Sequence, residues 1–330
     1  MPLPVELVEG LDRACAGIPQ RQLAVAVDRL ISRYRDPRPA TEPILGSPTE
    51  VAAYAAYRMP ATFGAVYSAL EQFLELATDF RPETLLDVGG GTGAALWAAA
   101  DLFPSLTAAT VLDQVDEALR LGRRLAERSA SAAVRSAGWR RVTFAESPFP
   151  GGADLVVVSY VLSELSQADQ SALIARSSES AEVVTVIEPG TPDGHQRILA
   201  AREVLIDAGL TVVAPCPHQD PCPLADGADW CHFSARINRT SLHRRLKGGE
   251  LSHEDEKFSY VIASRTAYER AAGRILRHPV ERKGLVTMQV CTPEDGVVPT
   301  LVAKRQGRTY RRSRKVEWGD AWPPSDLVAD

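Results

Sequence analysis

Long apolar runs, cysteines and aromatic residues are all scarce in this 330-residue sequence, which has five Cys and 6% aromatic residues. No run of about 18 apolar residues occurs, so we expect no membrane span. The N-terminus has no basic segment followed by an apolar core, and Glu6, Glu9 and Asp12 come early, so we expect neither a signal peptide nor a transit peptide. These absences predict a cytoplasmic protein, in which clustered cysteines favour metal binding or catalysis over disulfides.

Charge is distributed unevenly along the chain. The net charge is −5, but residues 1–231 contain 18 basic and 30 acidic side chains, whereas residues 232–315 contain 19 basic and 8 acidic ones. A basic segment on an acidic body predicts a surface for a polyanion, with a solvated charged face as the alternative. The side chains that we expect to contact phosphates are Arg236, Arg239, His243, Arg244, Arg245 and Lys247, predicted on a helix, and Arg308, Arg311, Arg312, Arg314 and Lys315 in the tail. The acidic run Glu254–Glu256 between them is expected to pair locally with Arg or Lys.

Helical spacing dominates the first 80 residues. The stretches QRQLAVAVDRLISRYR and PATFGAVYSALEQFLELATDF place apolar residues at helical intervals, with the proline-rich linker DPRPATEPILGSPTE between them. Pro60 is predicted to break a helix there.

Short apolar strands alternate with helices from residue 82 onward. The predicted strands are TLLDVG, LTAATVLDQ, RRVTFAE, ADLVVVSYVL and EVVTVIEPG. This order predicts an α/β fold with a parallel sheet and helices on both faces. The later segments FSYVIAS and GLVTMQVCT are interpreted as an antiparallel closing pair.

The sharpest local motif is the glycine turn in LLDVGGGTGAALW, between the first strand and the helix that follows. Glycines reach positive φ and let backbone N–H groups approach a ligand. The arrangement D-x-G-x-G-x-G resembles motif I of S-adenosylmethionine-dependent methyltransferases with a Rossmann-like fold; the alternatives are a dinucleotide site and a plain tight turn. The residues that we assign to cofactor binding are Asp87, Gly89, Gly91, Gly93, Asp113 and Ser159.

Two acids support this interpretation of the glycine turn. Asp87 ends the first strand, and Asp113 ends the second, where a carboxylate can accept hydrogen bonds from both ribose hydroxyls. Asp154 and Ser159 are expected to frame the fourth strand on the same side. No catalytic residue is assigned, because SYVLSEL stands where base-methylating enzymes have an Asn/Asp-Pro-Pro turn; Glu164 and Glu188 are candidate bases only.

Cysteine is concentrated in one segment, APCPHQDPCPLADGADWCHF. It contains Cys216, Cys222 and Cys231, while Cys291 follows the apolar stretch GLVTMQV and Cys15 stands alone. Four thiolates can hold zinc or an iron–sulfur cluster. The wide, proline-flanked gaps favour a cluster, whereas His218 and His232 keep zinc as an alternative because either can replace a cysteine.

Several segments together resemble a known family: LLDVGGGTGAALWA, EPGTPDGHQRI, the cysteine segment, EDEKFSY and WGD. The chain is similar to the methyltransferase-like proteins of the small ribosomal subunit, known from mitoribosome assembly, and is interpreted as a bacterial homologue. The resemblance runs from about residue 50 to 320. It implies S-adenosylmethionine binding, a [4Fe–4S] cluster on Cys216, Cys222, Cys231 and Cys291, and contact with small-subunit ribosomal RNA.

The resemblance divides the chain into four regions. They are an N-terminal helical region (1–80), a Rossmann-like methyltransferase core (81–210), a cysteine-rich metal-binding insertion (211–259), and closing strands with a basic tail (260–330). We expect a monomer that assembles the small subunit; the alternative is an active rRNA methyltransferase with a structural zinc or iron–sulfur site. A small-molecule methyltransferase is disfavoured, since a small substrate needs no basic tail.

Overall fold

The computed structural model describes residues 1–35, 46–144, 149–247 and 251–328. Most of the predicted proline-rich linker and the end of the predicted strand RRVTFAE lie outside these residues. The helices are α1 Val5–Cys15, α2 Gln20–Arg35, α3 Pro48–Leu74, α4 Ala94–Leu102, α5 Asp116–Ala126, α6 Ala132–Arg135, α7 Gln167–Ser180, α8 Pro192–Asp207, α9 Ser241–Lys247, α10 Arg308–Ser313 and α11 Ser325–Val328. The strands are β1 Thr84–Val88, β2 Ala108–Asp113, β3 Gly138–Arg141, β4 Ala153–Ser159, β5 Ala181–Pro189, β6 Thr211–Ala214, β7 Phe233–Asn238, β8 His253–Ser264, β9 Arg274–Ile275, β10 Val280–Arg282, β11 Leu285–Thr292 and β12 Gly296–Ala303.

The central sheet has the strand order β3-β2-β1-β4-β5-β8-β6, and β7 pairs with β8 beside it. Strands β1 to β5 are parallel, whereas β8 runs antiparallel to β5, β6 and β7. The order reverses between β1 and β4, which is the switch point where ligands bind at the carboxyl ends of the strands. The fold therefore presents its ligand edge at the glycine turn that follows β1.

The apolar strands are buried on both faces. Along β4, Leu155 and Val157 belong to a core shared with α3 and α4, whereas Val156 and Val158 belong to a core shared with α7 and α8. Successive strand residues point to opposite faces, so a continuous apolar run needs helices on both sides. The predicted three-layer α/β architecture is confirmed.

Helix α3 runs through Pro60 without a break, so the predicted break is wrong. A proline inside a helix removes one backbone hydrogen bond and crowds the preceding turn. Here the residue four positions earlier is the small Ala56, and the helix is buried along most of its length, including Val51, Phe63 and Leu70. Tertiary packing therefore outweighs the local cost of the proline.

The sequence interpretation expected the two late apolar segments, FSYVIAS and GLVTMQVCT, to pair with each other, but they lie in different sheets. Strand β8 joins the central sheet, and β11 lies in a second, antiparallel sheet of order β10-β11-β12, with β9 also paired to β11. That sheet has its own core, which includes Ile275, Met288 and Trp322. The central sheet takes strands from the proposed core, insertion and closing regions, and the four boundaries remain a prediction.

Candidate functional site

The glycine turn joins β1 to α4 at the carboxyl edge of the central sheet. Gly89, Gly91 and Gly93 have φ values of +70°, +55° and +85°, a backbone conformation that favours glycine. The amides of Gly89 and Gly90 both donate to the carbonyl of Leu112, at 2.8 and 3.1 Å, which ties the turn to β2. The sequence therefore places glycine where the backbone must adopt a left-handed conformation to make this turn.

The side chain of Trp139 closes the underside of this turn. A Cβ atom at Gly93 would lie 2.7 Å from the Trp139 ring, and one at Gly122 would lie 2.2 Å from it. The indole therefore requires glycine on both neighbouring elements. Gly93 is fixed by two independent demands, its φ and this close approach.

Two carboxylates hold the turn from within. Asp113 accepts hydrogen bonds from Gly91 N–H at 2.9 Å and from Val115 N–H at 2.8 Å. Asp87 is fully buried; Leu96 N–H donates to its Oδ2 at 3.3 Å, and its Oδ1 has no partner among the described residues. Burial raises the pKa of Asp87 to about 7, against the Leu96 hydrogen bond and with help from Asp113. The pKa of Asp113 is also raised by burial.

Next to the turn, β4 ends in a strained residue. Ser159 is buried at the end of the strand, and Tyr160 follows it with φ +58°, a left-handed conformation that non-glycine residues rarely adopt. The Tyr160 hydroxyl donates to Glu256 Oε1 at 3.0 Å. Arg58 donates to both carboxylate oxygens of Glu256, at 3.1 and 2.8 Å, and its guanidinium lies 4.6 Å above the Tyr160 ring.

We call Arg58, Tyr160 and Glu256 the α3–β8 clamp, since it joins helix α3 to strand β8 across the carboxyl edge. Beside it, the Thr92 hydroxyl donates to the Met59 sulfur at 3.4 Å. Helix α3 therefore covers the glycine turn directly. The sequence interpretation missed the clamp, because Arg58 and Glu256 are 198 positions apart.

Glu188 and Asp154 have structural roles, and Glu164 is exposed. Glu188 is fully buried; it accepts from Leu162 N–H at 3.1 Å and from Arg197 Nε at 2.6 Å, so its carboxylate is committed to structure. Glu164 is exposed on the turn after β4. Asp154 lies at the amino end of β4, where it accepts from Thr84 N–H at 2.9 Å. It therefore does not frame the strand on the same side as Ser159, as the sequence interpretation held.

The four predicted cysteine ligands line one cavity beside β8. Cys216, Cys222, Cys231 and Cys291 are all free thiols, half-buried or buried, and the cavity measures about 30 Å³. Burial, together with the neighbouring Cys216 and Cys222, raises the pKa of Cys291 to about 12. Among the described residues, no three or more His, Cys, Asp or Glu side chains are grouped as they must be to hold a metal ion.

The sequence offered His218 and His232 as alternative zinc ligands, and of these two His218 lines the cavity whereas His232 does not. His218 lines it, with Nε2 3.8 Å from Cys291 Sγ, and its Nδ1 lies 3.2 Å from the Asp220 carbonyl. His232 instead stacks on Trp230, with ring centroids 5.1 Å apart. His195, which the sequence interpretation did not assign, is buried and also lines the cavity.

The basic residues of the predicted phosphate surface divide into exposed and buried sets. Arg236 lies on strand β7 and Arg239 just after it, so the predicted helix is confirmed only for α9, which begins at Ser241. Arg239 is mostly buried against Glu254 at 3.1 Å and His243 is fully buried, so neither presents an exposed cation, and their phosphate contact stays a prediction. The side chain of Lys247 lies outside the described residues. The exposed cations of the two sets are Arg236, Arg245, Arg308, Arg311, Arg312, Arg314 and Lys315.

The acidic run pairs with arginines as expected, with one long-range exception. Asp255 pairs with Arg236 at 2.7 Å and Glu254 pairs with Arg239, both across the β7–β8 pairing. Glu256 pairs with the distant Arg58 instead of a local partner.

The strand order, the glycine turn after β1 and the acids at the carboxyl ends of β1 and β2, Asp87 and Asp113, define a protein of the Rossmann-like methyltransferase fold. Residues 48–323 match the family described as mitochondrial small ribosomal subunit Rsm22, and the chain belongs to that family. The resemblance inferred from the sequence is confirmed at this level, whereas a bacterial origin remains a prediction.

Of two curated relatives, the first is named for ribosome assembly. The human mitochondrial ribosome assembly protein METTL17 is 30% identical over 289 residues, covering 82% of this chain and 62% of the human protein. The Rsm22-cox11 tandem protein 2, mitochondrial, of Schizosaccharomyces pombe is 24% identical over 332 residues, covering 83% of this chain and 43% of the yeast protein. The chain thus spans less than two thirds of the length of either relative.

Solved structures resemble the fold more distantly. An O-methyltransferase family protein from Burkholderia thailandensis has a TM-score of 0.46 and 15% identity, covering 79% of this chain and 72% of that chain. A precorrin-6y C5,15-methyltransferase from Geobacter metallireducens has a TM-score of 0.39 and 14% identity, covering 60% of this chain and 87% of that chain. Every helix in the described residues is too short or too polar to cross a membrane.

Proposed function

We propose that this chain binds S-adenosylmethionine at the glycine turn, holds a [4Fe–4S] centre in the cysteine cavity, and acts in assembly of the small ribosomal subunit through contact with its RNA. One observation carries the proposal. Strand β8 borders both sites, since Glu256 belongs to the α3–β8 clamp and Ser259 and Tyr260 line the cysteine cavity. A single strand therefore connects the cofactor site to the cavity.

The residues around the turn suit a nucleoside cofactor. Gly89, Gly91 and Gly93 leave three positions of the turn without side chains, so a ligand can approach its backbone closely, and we assign Asp113 at the end of β2 to the ribose hydroxyls. The orphaned Oδ1 of Asp87 is a further polar atom close to the turn. When bound, S-adenosylmethionine supplies an electrophilic methyl group. The chain's own contribution is to bind and orient it between the turn and the strained end of β4.

The donor chemistry of the cavity suits an iron–sulfur centre. Four cysteines from two segments approach it, and Cys231 interacts electrostatically with the other three. No group of three or more His, Cys, Asp or Glu among the described residues is placed to hold a metal ion, so the proposed centre rests on the four-thiol donor set alone.

Assembly without methyl transfer is favoured over an active rRNA methyltransferase. The buried Glu188 carboxylate is committed to Leu162 and Arg197, and Tyr160 donates to Glu256. Neither Glu188 nor Tyr160 is thereby available as a general base. The cytoplasmic location and the monomeric state also belong to this proposal, although the relatives are named as mitochondrial proteins.

The decisive experiment measures cofactor, metal and RNA on one preparation. Protein purified without oxygen is assayed for iron, sulfide and zinc, and S-adenosylmethionine binding is measured by calorimetry. We expect about four iron and four sulfide per chain and little zinc. Zinc without sulfide would reject the cluster, and absence of cofactor binding would reject the assignment of the turn. Site-specific methylation of small-subunit RNA by this protein would establish the enzymatic alternative instead.

RNA contact has its own test. Affinity for small-subunit RNA is measured at several salt concentrations, because phosphate contacts give salt-dependent binding. Replacing Arg311 and Lys315 together by Glu should weaken binding strongly and reduce the salt dependence. The matched control replaces Arg123 and Arg124, exposed cations of α5 on the acidic body, and should leave binding unchanged. Equal losses in both variants would contradict the proposed surface.

A further inference from the structure

Two fully buried arginines line the same cavity as the four cysteines. Arg202 on α8 and Arg274 on β9 are each about 1% exposed. An arginine is charged at every accessible pH, so each brings a permanent positive charge into the protein interior. A buried charge is strongly unfavourable unless it is paired and hydrogen-bonded.

Arg202 is only partly satisfied by the groups around it. Its Nη2 donates to the carbonyls of His218 at 3.1 Å and Asp220 at 2.9 Å. Its Nη1 donates to Glu203 Oε1 at 2.7 Å, but the Glu203 side chain is 61% exposed, so solvent screens this pair. Its Nε is buried and has no hydrogen-bond partner within the described part of the chain.

Arg274 is held by backbone alone. Its Nε donates to the carbonyl of Pro215 at 3.1 Å, and its Nη1 donates to the carbonyl of Gly319 at 2.8 Å. Its Nη2 is buried without a partner in the residues that the structure describes. Glu75 and Asp320 act on it only at longer range, with no ion pair to either.

The groups in the cavity that can balance these cations are the cysteines. Both arginines line the same cavity as Cys216, Cys222, Cys231 and Cys291. His195 adds a third buried polar atom, Nδ1, that has no partner among the described residues. Unsatisfied N–H groups of two permanently charged arginines around a thiol cavity favour an anionic, hydrogen-bond-accepting occupant.

We propose that Arg202 and Arg274 are the counter-cations and sulfur-directed hydrogen-bond donors of the anionic centre in the cysteine cavity, and that they set its reduction potential. This inference rests on the proposed cluster. An oxidised [4Fe–4S] centre with four thiolates has a formal charge of about −2, and its potential depends on net charge and on hydrogen bonds to sulfur. Reduction adds one more negative charge, so two nearby cations favour the reduced form.

The test compares charge-removing with charge-retaining variants of the full-length holo protein. Arg202→Gln and Arg274→Gln keep an N–H donor but remove the charge, whereas Arg202→Lys and Arg274→Lys keep it. The midpoint potential is measured by redox titration followed by electron paramagnetic resonance, with iron and sulfide content measured in parallel. Arg270→Met, an exposed arginine outside the cavity, is the control.

Each Gln variant should make one-electron reduction at least tenfold less favourable, a shift of about 59 mV to more negative potential. The Lys variants should stay much closer to the control, and the Gln variants should also lose iron faster. Equal potentials in Gln, Lys and control proteins would overturn the inference while leaving the cluster in place. Equal shifts in Gln and Lys variants would indicate a purely structural role and overturn it as well. Wild-type protein without iron and sulfide would reject the cluster assignment and this inference together.

If a Gln variant fails to fold, the Lys series alone still decides. A charge-retaining variant with wild-type iron content and potential supports the electrostatic role, because lysine cannot reproduce the forked hydrogen bonds of arginine. A Lys variant that keeps its iron but has a midpoint potential about 59 mV more negative than the control would contradict that role.

Discussion

The α3–β8 clamp makes a sharp prediction about stability, because two adjacent acids of β8 pair with arginines in opposite environments. Glu256 and Arg58 retain only 11% and 22% of their side-chain exposure, whereas Asp255 and Arg236 retain 41% and 62%. The substitution Glu256→Gln keeps the size of the side chain and one acceptor for Tyr160. It leaves the Arg58 charge without its carboxylate.

Removing one partner of a buried ion pair costs about 3–5 kcal/mol of stability. The residual exposure of this pair lowers the expected loss for Glu256→Gln to about 2–3 kcal/mol. The control is Asp255→Asn on the same strand, which should change stability within measurement error because its pair is exposed and screened. Urea unfolding followed by circular dichroism measures both, with the denaturant slope expected to stay constant.

High salt separates the two pairs further. At about 1 M salt the screening length falls to about 3 Å, so an exposed pair loses its contribution while a buried pair keeps most of it. The loss for Glu256→Gln should therefore persist in high salt. If both substitutions cost the same, or if salt removes the Glu256 effect, the clamp is not a buried electrostatic anchor.

Three further predictions concern the two candidate sites. Gly93→Ala should weaken S-adenosylmethionine binding more than tenfold by calorimetry, since the left-handed backbone costs about 1–2 kcal/mol for alanine and the added Cβ meets Trp139 at 2.7 Å. The pKa of Asp87 is raised to about 7, so the folded state binds this proton more tightly than the unfolded state does. Wild-type stability should therefore fall as pH rises from about 4 to 7, by about 4 kcal/mol at most. The substitution Asp87→Asn should flatten this dependence. Cys222→Ser should lower the iron content by at least half, whereas Cys15→Ser, outside the cavity, should leave it unchanged.

Each of these three predictions has an outcome that would contradict it. Gly151→Ala is the control for Gly93, because its added Cβ meets nothing within 4 Å, and equal effects of the two would disprove the strain argument. A wild-type stability that rises between pH 4 and 7 and is unaffected by Asp87→Asn would contradict a protonated Asp87. Full iron content in Cys222→Ser would remove this thiol from the proposed ligands.

Periodicity predicted the parallel part of the sheet because its strands have uniform burial. The run Leu155–Val158 is apolar on both faces, and such runs between helices have few alternatives. Strands β6 and β7 were not predicted from the sequence, and the reason is physical. Thr211–Ala214 is four residues long, and Phe233–Asn238 alternates Arg236 and Asn238 with buried residues beside the proline-rich segment.

The candidate sites were predictable only where their residues are local in sequence. The glycine turn and the cysteine segment are short motifs with a direct chemical meaning. Arg202, His195 and Arg58 gave no such signal, since an arginine or histidine in a helix is usually solvated and becomes unusual only once its burial is known. Long-range pairs such as Arg58 with Glu256 depend on how the whole chain folds, which no local pattern encodes.

The late position of β8 in the chain has a consequence for biosynthesis. This strand lies between β5 and β6 and also pairs with β7, so the second edge of β5 stays unpaired, and β6 and β7 lack this partner, until His253–Ser264 has been made. A nascent chain that has already formed β1 to β5 therefore presents β5 as a bare edge, open to wrong partners, while translation continues. Truncation before residue 253 should for this reason yield aggregated rather than merely inactive protein.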